Sequence, residues 1–177
     1  MSTKKYFIFV SQYYKNKNHK RLIQAFSNFV KNNKDKNIKS VLVGYMIKDI
    51  KNFAKHYDND NKIIFTDIID NKVLQILLSH ALYFIHPSLY EGFGMPITEA
   101  MNAGIPVACS NQASLPEVAG DVVLYFDHYD IKNTEQVIFM IENSESLRNK
   151  LIQIGHEQVK KFYDTNAMID EYIKLFE

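Results

Sequence analysis

Two carboxylates and two glycines define the chemistry of one stretch of this sequence, residues 86–117, which reads HPSLYEGFGMPITEAMNAGIPVACSNQASLPE. Gly92-Phe93-Gly94 makes a loop, and Pro96 stands where a helix can begin, because proline is tolerated where the first amides have no intrahelical partner. A glycine loop running into a helix N-terminus turns free N–H groups and the positive end of the helix dipole toward one small volume. Such a cradle suits a phosphate or a diphosphate. Glu91 on the loop and Glu99 about one turn into the helix bracket it. Neither is well placed to touch a phosphate, but both can accept hydrogen bonds from sugar hydroxyls. The combination points to a nucleotide-sugar.

The elements that must position these groups are short and alternate in type. Residues 6–10 are continuously apolar, the mark of a strand buried on both faces, and end at Ser11-Gln12. After a polar loop, Leu22, Ile23, Phe26, Phe29 and Val30 fall at helical spacing and predict an amphipathic helix over 19–31. Residues 41–44 form a second buried strand, where Gly44 leaves room for a ligand backbone or ring to approach. A helix over 47–56, a turn over 58–61, a strand over 62–66 and a helix over 71–80 follow. Strands are expected at 81–85, 106–109 and 122–126, with a helix over 96–103 ended by Gly104 and a short turn at 115–118. Helices over 134–143, 144–162 and 165–176 complete the chain. This alternation predicts a single α/β domain over 1–177, with a Rossmann-like, doubly wound sheet of about six parallel strands and helices on both faces. Ligands of such sheets bind beyond the carboxyl ends of the strands.

Composition excludes several chemistries. With 21 basic against 20 acidic residues, nothing suggests a nucleic-acid partner. The six histidines and one cysteine show no H-x3-H or C-x2-C spacing, so no metal site is expected, and Cys109, in an apolar run, reads as a buried thiol. There is no phosphate-binding lysine motif of the G-x-x-x-x-G-K-[ST] type. Paired glutamates could also serve a glycoside hydrolase, but the chain has no tryptophan to floor an open sugar cleft. The four apolar residues 7–10 are too few for a secretory signal, and no window approaches the ~20 apolar residues of a spanning helix. A soluble, cytoplasmic chain is the expectation.

Glu91-Gly92-Phe93-Gly94, followed by Pro96 and Glu99, resembles the E-x7-E segment of the large retaining glycosyltransferase family with the GT-B fold, family 4. Asn102-Ala103-Gly104-Ile105-Pro106-Val107 and Leu115-Pro116-Glu117-Val118 follow in that family's order. The likeness covers essentially the whole chain, and it is to the second, donor-binding domain of a two-domain enzyme. It implies that Glu99 accepts from the donor ribose, and that Glu91 lies beside the transferred sugar as the catalytic-site carboxylate. The amides of Gly92, Phe93, Gly94 and Met95 would meet the donor sugar and diphosphate, Phe93 packing inward. Lys17, in Lys17-Asn18, stands where the family has a lysine for the diphosphate, a task suited to a compact ammonium. The family's Gly-Arg pair after the first strand is replaced by Ser11-Gln12, which removes one fixed charge that Lys15 or Lys20 would have to supply. Gln12, Gly44 and Glu117 are further candidates, and His86 reads as structural.

The implied activity is hexosyl transfer from a nucleoside diphosphate sugar to an acceptor hydroxyl with retention, in glycan, capsule or lipopolysaccharide synthesis, without cofactor or metal. An N-terminal acceptor-binding domain or partner subunit would be needed, toward which the helix over 165–177 would pack and through which any membrane contact would run. The isolated chain would bind donor without transferring it. The alternative is a non-catalytic nucleotide-sugar binding module.

Overall fold

The computed structural model describes residues 6–33, 37–58 and 60–163, together with positions 169, 173, 174 and 176. Six strands, β1 (Tyr6–Val10), β2 (Lys39–Val43), β3 (Ile63–Asp67), β4 (Tyr83–His86), β5 (Val107–Ser110) and β6 (Leu124–Phe126), form one sheet. Their order is β3-β2-β1-β4-β5-β6, and every pairing is parallel. The chain therefore winds outward in one direction from β1 and then returns to wind the other way from β4. Between those two strands the loops at the carboxyl ends diverge, which leaves a crevice.

Alternate residues of the central strands feed two cores. Phe7 and Phe9 of β1 pack with Tyr83 and Ile85 of β4 beneath α1 (His19–Asn32), α2 (Lys48–Tyr57) and α6 (Ile131–Asn143). Ile8 and Phe84 face the other way, toward α3 (Asn71–His80), α4 (Met95–Asn102) and α5 (Leu115–Ala119). The last helix, α7 (Glu145–Tyr163), serves both, placing Leu151 in the first core and Val159 in the second.

Most expected elements stand within a residue or two of their expected ends, and the differences have local causes. Asp130 accepts from the amides of Lys132 and Asn133, so α6 starts at Ile131 rather than 134. The turn expected at 115–118 is the short helix α5. Val122 and Val123 precede β6 instead of belonging to it. On α3, Leu78 is buried, whereas Val73 and Ile76 face solvent. The helix expected over 165–176 lies mostly outside the described residues, among which Ile169, Ile173 and Phe176 are exposed.

Candidate functional site

The crevice between β1 and β4 is laced shut at its base by two asparagines. The chain leaves β1 through a short 3-10 turn, Lys15–Lys17, and enters α1 through Asn18, whose φ of 58° is in the left-handed region that asparagine tolerates. Asn18 is buried, and its Nδ2 donates to the carbonyls of Pro87 (3.1 Å) and His128 (2.9 Å), joining the loops that follow β1, β4 and β6. Asn16 Nδ2 donates to Tyr90 O (3.1 Å), while the Leu89 amide donates to Asn16 O (2.7 Å). The two loops are thus held in register.

That register brings Lys17 onto Glu91, with Nζ 2.6 Å from Oε1 and only 19% and 11% of the two side chains exposed. His86, the last residue of β4, reaches the same oxygen through Nε2 at 2.8 Å. Its ring is fully buried, stacked on Phe84 and edge-on to Phe9. Just before α5, Ser114 Oγ donates to the Glu91 carbonyl and pins the backbone (3.1 Å). Burial by itself would push the Glu91 carboxyl up, but the hydrogen bonds from His86, Lys17 and Ser88 outweigh it and hold the pKa at about 2. Burial pushes His86 down, against the pull of Glu91, and so favours a neutral ring donating from Nε2. The cluster is a cation, an anion and a neutral donor on one oxygen.

Beside it lies the cradle. Gly94 caps α4 with a φ of 94°, and a Cβ there would stand 2.7 Å from Leu115 Cδ2, so both conformation and packing require glycine. Around Gly92 a Cβ would meet nothing within 4 Å. None of the amides of Gly92, Phe93, Gly94 and Met95 donates a hydrogen bond among the described residues. They are free to bind an anion. Helix α4 opens at Met95, one residue ahead of the expected start at Pro96. Glu99 is half-buried on its second turn, its carboxylate has no hydrogen-bond partner among the described residues, and burial raises its pKa.

Two expectations are corrected. Phe93 does not pack inward: its ring is 42% exposed and meets Phe162 of α7 edge-on at 5.6 Å. The reason for glycine at position 44 is also not the expected one: at φ 121° a Cβ there would lie 2.5 Å from Ser11 O, so the close approach that requires glycine is to the chain's own backbone. Gln12 and Glu117 are both exposed, Glu117 on the first turn of α5. The contact of His86 with Glu91 and the clamps made by Asn16, Asn18 and Ser114 were not read from the sequence. Only the position of His86 at a strand end before Pro87 hinted at a place in the site.

Among the described residues no group of three His, Cys, Asp or Glu could hold a metal ion, and no helix is long and apolar enough to cross a membrane. Surface grooves elsewhere, such as those lined by Phe26 with Tyr57 and by Phe29 with Phe139, lie away from the cradle, where Gly92, Phe93 and Met95 are exposed.

A parallel sheet wound both ways from β1 and β4, with a helix N-terminus at the point of reversal, is a Rossmann-like architecture. Residues 1–158 match the family described as glycosyl transferases group 1, and the chain belongs to that family. It is 42% identical to O-antigen chain mannosyltransferase B of Escherichia coli over 94 residues, which cover 53% of this chain and 25% of that protein. To the alpha-1,3/1,6-mannosyltransferase of Dictyostelium discoideum it is 28% identical over 176 residues, 89% of this chain and 42% of that one. The chain thus spans less than half the length of either relative. Among solved structures it resembles a mutant of Staphylococcus aureus TarM in complex with fondaparinux, alpha-GlcNAc-glycerol and UDP (TM-score 0.87, 20% identity, 99% of this chain and 36% of that one). A sucrose-phosphate synthase from Thermosynechococcus elongatus is similar too (TM-score 0.84, 22% identity, 99% and 46%). At these identities the likeness establishes the fold.

Proposed function

We propose that this chain is the donor-binding domain of an enzyme that transfers a hexosyl group from a nucleoside diphosphate sugar to an acceptor hydroxyl, with retention, in polysaccharide assembly. The observation that carries this is the convergence of Lys17 and His86 on Glu91 beside four unbonded amides at the N-terminus of α4. When the anomeric C–O bond breaks, negative charge collects on the β-phosphate. The α4 amides and Lys17 stabilise that charge electrostatically, with no metal required. An ammonium has three protons, and Lys17 commits one of them to Glu91, so it can bridge carboxylate and phosphate. Glu91 positions the sugar and Glu99 the ribose. Because several relatives are named mannosyltransferases, mannose is the first sugar to test.

Calorimetric titration with uridine, guanosine and adenosine diphosphates tests this directly. One of the three should bind, with or without EDTA, and the matching nucleotide-sugar should bind more tightly. Indifference to all three would refute the assignment. A second reading, a non-catalytic nucleotide-sugar module, is favoured by Gln12, which leaves the end of β1 uncharged and exposed. Mixing the chain with a separately expressed acceptor domain separates the two: transfer appears for a half-enzyme and stays absent for a module.

A further inference from the structure

We infer that His86 is a positioning residue for Glu91, holding the carboxylate in place from beneath so that Glu91 stays fixed when Lys17 turns toward a donor phosphate. This rests on the donor-site assignment above. The fully buried end of β4, flanked by Phe84 and Ile85, is where an apolar side chain would be the more stable choice. Instead it carries an imidazole whose Nδ1 is buried without a partner while Nε2 sits 2.8 Å from Glu91 Oε1. A polar group kept in a core at a cost to stability, with its one contact on the carboxylate of the site, is accounted for by what it does to that carboxylate.

The chemistry of the two donors differs in a useful way. Lys17 is a mobile point charge with a long stem, and a diphosphate carrying two or more negative charges competes with Glu91 for it. The His86 ring has no such freedom, being stacked on Phe84 (5.7 Å between centroids) and edge-on to Phe9 (5.5 Å). Its backbone is held in the sheet, opposite Cys109 of β5. The groups that act on its charge are Glu91, which favours a proton, and Lys17, which disfavours one, with burial deciding for the neutral ring. His19 packs against the same Phe9 ring and is likewise pushed down by burial, so it adds no charge to the cluster. A neutral Nε2–H donor orients the carboxylate without cancelling its charge. Neither donor uses Oε2. The Ser88 hydroxyl also acts on this carboxylate and helps to lower its pKa, and under the proposed function Oε2 meets a sugar hydroxyl.

The test uses the 177-residue chain, labelled with nitrogen-15 on histidine and carbon-13 on the glutamate carboxyl. In the unmodified protein between pH 6 and 8, His86 should show a protonated Nε2 and an unprotonated Nδ1. The reverse pattern, or a doubly protonated ring, would overturn the assignment without any variant. In His86→Leu the titration midpoint of Glu91 should rise by about one pH unit or more, while His86→Gln, which keeps an N–H donor at the tip, should stay near the original value. An unmoved midpoint in His86→Leu refutes positioning, whereas a purely structural role predicts loss of stability with no change in that titration. Calorimetry adds a separate arm: His86→Leu should keep its affinity for the nucleoside diphosphate but lose the extra affinity for the nucleotide-sugar. If no nucleotide binds even the unmodified chain, the donor assignment fails while the nitrogen and carboxyl spectra still decide the role of His86.

Discussion

Glu99 offers a sharp test of where the nucleoside sits. Its carboxylate is half-buried on α4 and has no hydrogen-bond partner among the described residues, so Glu99→Gln breaks nothing inside the protein. Any loss of affinity then belongs to the ligand. A hydrogen bond to a charged group contributes about 1.5 to 3 kcal/mol, which converts at 1.4 kcal/mol per decade to roughly 10- to 150-fold in Kd. The assay is a cycle with four titrations: the original chain and Glu99→Gln, each with the nucleoside diphosphate that binds best and with its 2′,3′-dideoxy form. The original chain should prefer the ribose form by that factor, and Glu99→Gln should bind both forms alike at the weaker level. A urea midpoint changed by little between the two proteins would confirm that the fold is intact. If Glu99→Gln weakened both ligands equally, or neither, Glu99 would not be holding the ribose hydroxyls.

Three other outcomes follow from the site and its supports. Gly94→Ala should cost about 1 to 3 kcal/mol, from left-handed strain at φ 94° and the 2.7 Å approach to Leu115, whereas Gly92→Ala, in open space, should change stability by about 1 kcal/mol at most; equal urea midpoints for the two variants would refute the steric account. Lys17→Met should weaken diphosphate binding roughly tenfold and leave the nucleoside almost unaffected in calorimetry, and equal losses for both would remove Lys17 from the phosphate site. Burial lowers His19 to about 4, below an unfolded value near 6.5, so its contribution is complete above about pH 6.5 and is lost as pH falls through 4, a loss of about 3 kcal/mol. The depressed Glu91 adds a second loss between about pH 4.5 and 2, and a urea midpoint that stays flat from pH 7.5 to 4 would contradict the buried state of His19.

What the sequence made legible was whatever local pattern controls. β1 and α3 stand at their expected limits: an unbroken apolar run marks the one, and in the structure Asp70 caps the other by accepting from the Lys72 amide. The doubly wound topology followed from the alternation of strands and helices alone, and with it the end of the sheet where a ligand must bind. The misplaced features depend on contacts between distant parts of the chain. Gly44 was read as room for a ligand, and nothing near it in sequence reveals that the Ser11 backbone stands where its Cβ would go. Phe93 looked like a core aromatic, yet its partner is Phe162, far along the chain at the end of α7. His86 was read as structural and not as a donor, since its contact with Glu91 depends on how the intervening loop folds back.

Lys17 and Glu91 are already paired with each other, and that shapes what binding must do. Under the proposed function, a diphosphate arriving at α4 would gain the free amides of residues 92–95, but would gain Lys17 only by sharing it with Glu91. On an open face, where water screens charge, that exchange gives little net energy. Covering the face would change the balance: with water excluded, the ammonium between carboxylate and phosphate interacts strongly with both, and the acceptor hydroxyl is brought to reacting distance. Such positioning can account for about 7 to 11 kcal/mol of a barrier. The chain spans only 25% and 42% of two relatives, so those proteins contain ample sequence for a covering domain. Under the proposed function Glu91 has two tasks in one fixed position, orienting Lys17 before the donor arrives and meeting the sugar afterwards. An uncharged anchor that stays in place while Lys17 is shared suits both tasks, and His86 Nε2 stands 2.8 Å from Glu91 Oε1.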